Sequence, residues 1–291
     1  MQTLNRLQRD LCWSIQQPAL IRPHDIWPKD AWFADQPVPF IDDLPEPPPK
    51  FRLGVHFEKL FQQWLTAHPI YKIAANNLQV HSEGRTLGEF DLLVEGPNGT
   101  EHWELAVKFY INQGNHRDPH YWFGPDPTDT LATKLDHLNN HQLRLSEQPQ
   151  ARALLNEMGI TLAAQRSIVK GRLYYPWQQF RTAHFAAPEI VNPHHLKGWW
   201  LKQADLNQLG NERIIYLEKG LWLSDVCPED VEPNHVNQVM RIGHLKHLVA
   251  ETDQIAIQVA LLDANHQETS RGFILKPDWF KQAVHGSIAV S

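Results

Sequence analysis

Between Thr86 and Ile111 the sequence alternates with period two on both sides of a tight turn, and this pattern restricts the fold more than any other stretch. The run from Thr86 to Glu95 sets Leu87, Glu89, Asp91 and Leu93 on one face and Phe90, Leu92 and Val94 on the other. Gly96-Pro97-Asn98-Gly99 supplies the turn, and the run from His102 to Ile111 sets Trp103, Leu105, Val107 and Phe109 against Glu104, Ala106, Lys108 and Tyr110. An antiparallel hairpin with an apolar face to bury is the expected result. Its other face carries three acids and a lysine. Taken alone, that is the composition of a solvated face with cross-strand pairs.

The flanking segments change the weight of that face. Phe57, Leu60, Phe61, Trp64 and Leu65 recur at helical spacing and predict a helix over residues 53–66, with Glu58 at the edge of its apolar stripe. Residues 129–146 carry a leucine period that predicts a second helix, and residues 167–175 are rich in Ile, Val, Leu and Tyr and read as a strand. Ahead of these come a short helix within residues 2–16 and a proline-rich arm over residues 18–49 that is neither helix nor central strand. Strands at 213–217 and 221–224, a helix near 236–249 and a hairpin from 254–262 and 270–275 follow. The expected domains are therefore 1–50, helix and arm; 51–180, an α/β core; and 181–291, an α+β extension.

Composition narrows the functional classes. Two cysteines, Cys12 and Cys227, are too few for a disulfide framework, and no run approaches the roughly 18 apolar residues of a membrane helix. A cytoplasmic protein without membrane partners is expected. The net charge of −6 leaves nucleic-acid binding to local fields, and residues 166–219 hold eight Lys/Arg against four Asp/Glu. On the strand 167–175, Lys170 and Arg172 alternate and are candidates to touch phosphate, a solvated strand face being the plain alternative. The unusual counts are 11 Trp and 17 His, and the oligomeric state is not legible.

Phosphodiester cleavage requires carboxylates for Mg²⁺ or Mn²⁺ and a cation for the attacking water or the developing charge. Glu58, Asp91, Glu104 and Lys108 are such a set. A helix carrying Glu58, then Gly88-Glu89-Phe90-Asp91, then a strand ending in Val107-Lys108, resembles the PD-(D/E)xK nuclease superfamily. Glu104-Leu-Ala-Val-Lys-Phe-Tyr110, Lys134-Leu-Asp-His-Leu138 and Val169-Lys-Gly-Arg-Leu-Tyr-Tyr-Pro176 are also similar to a bacterial family with a domain of unknown function. The resemblance implies a restriction-endonuclease-like αβββαβ core with a mixed sheet. It makes Asp91 the first metal ligand, Lys108 the catalytic lysine and Glu58 a supporting acid, with Gln142 or Lys134 contributed by the next helix.

One position departs from the pattern. The superfamily's second acid sits two residues before the lysine, which here is Ala106, and Glu104 lies about 6.6 Å further back along the strand. Glu89 is a possible substitute ligand. The expectation is a Mg²⁺- or Mn²⁺-dependent nuclease with Asp91 and Glu104 on the metal and Gln142, Lys170 and Arg172 toward nucleic acid, DNA ahead of RNA. The alternative is an inactive nuclease-fold protein that serves as a nucleic-acid-binding or protein-interaction module.

Overall fold

The computed structural model describes residues 4–22, 30–44, 52–231 and 238–288, the last five as backbone. The Pro45–Pro49 cluster lies outside them. Helices α1 (Arg6–Gln16), α2 (Asp30–Ala34) and α3 (Leu53–Ala67) precede strands β1 (Lys72–Ser82), β2 (Arg85–Gly96), β3 (Gly99–Asn112) and β4 (Trp122–Phe123). Next come α4 (Leu131–His137), α5 (Pro149–Glu157), β5 (Leu162–Pro176), α6 (Trp177–Arg181), β6 (Leu196–Lys202), β7 (Arg213–Tyr216), α7 (Ile242–Glu251), β8 (Ala256–Leu262), β9 (Glu268–Leu275) and α8 (Pro277–Ile288). The nine strands form a mixed sheet in the order β1-β2-β3-β5-β6-β9-β8-β7, with β4 on β3. No described helix is long and apolar enough to cross a membrane.

The chain divides into two units whose bounds cross the boundaries expected near residues 50 and 180. One comprises Met1–Lys108, Thr133–Lys170 and Asn192–His194; the other comprises Phe109–Ala132, Gly171–Val191 and His195–Ser291. In the first unit the stripe of α3 is buried as its spacing requires, with Phe57, Leu60, Phe61, Trp64 and Leu65 all inside. Helix α1 is capped by Asn5, whose Oδ1 accepts from Gln8 N at 2.9 Å. The Gln8 side chain then ties down the proline-rich stretch through Pro39 O and Ile41 N. That stretch is not wholly extended: Asp30–Ala34, which contains no proline, makes one short helix that buries Phe33.

Strand β1 was not visible in the alternation because it lies at the sheet's edge and is polar, with only Val80 fully buried. The expected helix over 129–146 is broken in three. It begins as α4, widens into a π turn over Leu138–Gln142, and ends in a 3-10 turn at Leu145–Glu147. Leu145 packs with Ala151 and Leu155 of α5 onto Val80, Phe90 and Leu93.

In the second unit, Trp199, Leu245, Val249, Ile257, Val259 and Ile274 form the core between β6, β8, β9 and α7. The expected strand at 221–224 does not form. Its carbonyls are turned onto the guanidinium of Arg271, which donates to Trp222 O at 2.7 Å and Ser224 O at 2.8 Å. A segment whose acceptors are taken by one buried arginine has no ladder to offer a neighbouring strand.

Candidate active site

The hairpin pairs in continuous register from Gly96↔Gly99 to Leu92↔Trp103 and then opens. One residue further along β2, the side chain of Asp91 replaces the backbone acceptor, and its Oδ2 accepts from Leu105 N at 2.8 Å. On the β1 side the pairs run from Asn76↔Leu92 to Leu78↔Phe90, and Asn77 between them has φ +49°. Asn77 therefore stands opposite Asp91 in a left-handed conformation that costs an asparagine less than most residues. Both ladders lapse at the same carboxylate. Asn77 Nδ2 and Gln79 Nε2 donate to the two oxygens of Glu89 at 3.0 and 3.1 Å, and Gln62 of α3 donates to Asn77 Oδ1.

Across the hairpin, Glu104 is buried at 1% exposure. His102 Nε2 lies 2.7 Å from its Oε1, and Gln142 Nε2 donates to its Oε2. Lys134 Nζ in turn donates to Gln142 Oε1 at 2.8 Å. This chain depends on how the α4 region is seated. A Cβ at Gly88 would come within 2.8 Å of Leu145 Cδ1, so the glycine two residues before Phe90 admits the leucine that anchors the turn after Gln142. The π turn ends on Gln142, with Leu143 N bonded to Leu138 O. Such wide turns are common at functional sites.

The electrostatics are strained in one direction. Burial first, then the charges of Asp91, Glu89 and Glu104, push the Glu58 carboxyl up to about 7. Burial and Glu104 push Asp91 up to about 7, against the opposing pull of the Leu105 amide, His102 and Lys134. Glu104 also rises to about 7, chiefly through burial, with Lys134 pulling the other way. His102, edge-on to the Phe90 ring at 4.7 Å, is driven down to about 4 by burial. At neutral pH the imidazole is uncharged and the three acids hold only part of their charge. The His102 Nδ1 has no hydrogen-bond partner among the described residues.

The expected residues fall into two groups. Glu58, Asp91, Glu104 and Gln142 come together, and Lys134 is the cation that both Asp91 and Glu104 feel. Lys108 lies four residues beyond Glu104 on β3 and is half-buried. The expectation that Lys170 touches phosphate gives way: it is fully buried, its ammonium held by Ile15 O and Gln17 O and lying 3.5 Å from the Phe33 ring centre. Arg172 is likewise turned inward onto Lys197 O at 2.9 Å, with Asp225 3.5 Å away. His102 and Asn77 were missed. The position of His102 two residues before Glu104, hence on the same strand face, was the available signal.

The donor set suits a hard divalent cation. Among the described residues no three His, Cys, Asp or Glu side chains form a ready cage. Mg²⁺ does not need one, since it commonly keeps several waters and takes one or two carboxylates. Asp91 and Glu104 fit that role: the charge of Glu104 helps to raise Asp91, Glu104 is raised chiefly by burial, and a bound cation would favour the charged form of both.

The fold and site define a mixed-sheet α/β protein with a buried, partly protonated carboxylate cluster. The chain belongs to the family described as a domain of unknown function, DUF1853, whose model matches residues 9–275. It is also 23% identical to human gamma-crystallin A over 124 residues, 43% of this chain and 59% of that one, so it spans under two thirds of that relative. No solved structure matches.

Proposed function

We propose that this chain is a divalent-metal-dependent nuclease that hydrolyses phosphodiester bonds in nucleic acid, DNA ahead of RNA. Its restriction-endonuclease-like αβββαβ core would comprise α3, β1, β2, β3, α4 and β5. One observation carries the reading: three elements bring Glu58, Asp91 and Glu104 to one place with their carboxyls raised to about 7. Structural carboxylates are normally arranged to keep their charge; perturbed acids that face each other mark sites where a ligand or a proton is handled.

Asp91 and Glu104 would hold Mg²⁺ or Mn²⁺, which supplies Lewis acidity toward the phosphate and its attacking water. The chain's own groups do the rest. Glu58, half-buried and near neutral in pKa, accepts a proton at the pH of the reaction. Lys134, and Lys108 from the strand, supply positive charge for the phosphate oxygens. Gln142 is the positioning residue, because its amide joins Lys134 to Glu104. With Lys170 and Arg172 inside, they are withdrawn from the phosphate-contacting set.

A second reading, an inactive nuclease-fold module that binds nucleic acid or protein, is favoured by Ala106 at the usual acid position. It is also favoured by the capture of both Glu104 oxygens by His102 and Gln142. Single-stranded, duplex and branched DNA and RNA incubated with Mg²⁺ or Mn²⁺ separate the two. Cleavage abolished by Asp91→Asn and reduced at least a hundredfold by Lys134→Gln supports the nuclease. Cleavage that survives Asp91→Asn removes the site, and binding without cleavage assigns the module.

A further inference from the structure

A hollow lies wholly within the other unit. It has a volume of about 280 Å³ and is walled by Asn112, Gln113, His116, Gln179, Trp200 and Lys202, among others. Among the described residues, five of these side chains leave a buried atom without a hydrogen-bond partner: Asn112 Oδ1, Gln113 Oε1, His116 Nδ1, Gln179 Oε1 and Trp200 Nε1. Asn112 is the most enclosed, at 1% exposure, with its amide nitrogen already committed to Tyr121 O. Buried polar atoms are nearly always satisfied by protein, ordered water or a ligand, so five such atoms around one hollow point to an occupant. A larger hollow of about 650 Å³, beside Tyr216, Trp222 and Gln254, has none of them.

The orphans specify their partner. His116 is stacked on Tyr175 with ring centres 6.0 Å apart; burial, with the nearby His184, lowers its pKa, against a hydrogen bond to the Ala186 backbone. With one ring N–H spent on that backbone, the neutral ring offers Nδ1 as an acceptor. Three amide oxygens join it, while the Trp200 indole N–H is the one donor. Flat surfaces lie beside these groups: the rings of Trp200 and Phe280 are 5.7 Å apart, and Lys202 Nζ sits 5.5 Å from the Phe280 centre. Gly114, at φ +120°, lets the 112–116 loop close on Tyr121, since a Cβ there would lie 2.4 Å from Tyr121 Cδ1.

We propose that this cavity binds a nucleobase, guanine before the others, carried on a 5′-phosphate that Lys202 meets. Guanine presents adjacent N–H donors on one edge to the cluster of acceptors and ring acceptors on the other to Trp200. Aromatic stacking with edge recognition by amides is how proteins hold single bases. The volume matches a base better than a dinucleotide. This site is independent of the carboxylate cluster, and its test does not require cleavage.

The test is calorimetric titration of the full chain with GMP, AMP, UMP, guanosine and ribose 5-phosphate, paired with tryptophan fluorescence. GMP binds tightest and UMP weakest, and His116→Phe and Gln179→Leu each weaken GMP by about tenfold. Lys202 is exposed, so Lys202→Gln folds normally and removes the difference between GMP and guanosine. A short single strand beginning with a 5′-phosphorylated guanosine that competes with GMP assigns the base to a nucleic-acid end; failure to compete assigns it to the free nucleotide. Ribose 5-phosphate binding as well as GMP, UMP matching GMP, or no heat from any of them at several millimolar overturns the proposal.

Discussion

Two groups of buried charge in this chain obey opposite rules. In the second unit, Arg271 is fully buried, and Glu268 accepts from its Nε at 2.6 Å and from its Nη2 at 2.7 Å. Burial alone would raise Glu268 and lower Arg271, but each partner's charge prevails, leaving the acid below and the arginine above their usual values. In the first unit, Glu58, Asp91 and Glu104 are also largely enclosed, yet burial prevails and all three rise to about 7. The first cluster has an arginine matched to its acid; in the second, Lys134 is the cation that bears on Asp91 and Glu104, and it does not outweigh their burial. A buried charge that the protein completes itself is architecture, and one it leaves incomplete is a site for something else.

The largest break in this comparison comes from Arg271→Leu. It strands the Glu268 carboxylate and the carbonyls of Trp222 and Ser224, and urea unfolding is expected to show a loss of about 3–5 kcal/mol. Glu104→Gln, which also removes a charge at the same depth, is expected to cost little or to stabilise. If both variants lose equal stability, the contrast between the two clusters is empty.

The pH dependence has a definite sign. Acids whose folded pKa lies above the unfolded value bind more protons when folded, so their contribution to stability is present near pH 4 and is lost as pH rises toward 7. His102, lowered from 6.5 to about 4, acts oppositely over its own window, because its unfolded form takes the proton. Three acids outweigh one histidine. The wild-type chain without metal is expected to lose stability between pH 5 and 8 relative to Glu104→Gln, by on the order of 2 kcal/mol. Parallel stability profiles for the two proteins would show that the cluster keeps its full charge.

The smallest effect expected is that of Lys170→Met. It removes the donor to Ile15 O and Gln17 O and is expected to cost about 1 kcal/mol in a denaturant titration, with nucleic-acid affinity unchanged. A fall in affinity at unchanged stability would return Lys170 to the phosphate-contacting surface.

The hairpin and the α3 stripe were legible because each has an apolar face that sets its period, and the final β8–β9 pair because it is a short apolar run buried on both faces. Glu58, Asp91 and Glu104 were legible for the same reason, since polar residues on a face that a core would otherwise claim stand out. Strand β1 hid because an edge strand needs no apolar period. Lys170 and Arg172 deceived because β5 is buried on both faces from Ile168 to Tyr175, and a lysine reads the same in sequence whether water or carbonyls surround it. The segment 221–224 looked like a strand because nothing local announces that Arg271, some fifty positions away, takes its carbonyls. The cavity beside Trp200 had its own trace at the end of β3 and in the loop after it, where Asn112, Gln113 and His116 crowd together. Part of the histidine excess finds a place there and at His102.

The central claim is that the carboxylate cluster is completed by a divalent cation. Calorimetric titration of Mn²⁺ at pH 6.5, repeated in two buffers of different ionisation enthalpy, reads both the binding and the protons it displaces. The account predicts saturable binding with net proton release, weakened at least tenfold by Asp91→Asn and by Glu104→Gln. Binding without proton release, or with the same affinity in both variants, would contradict it.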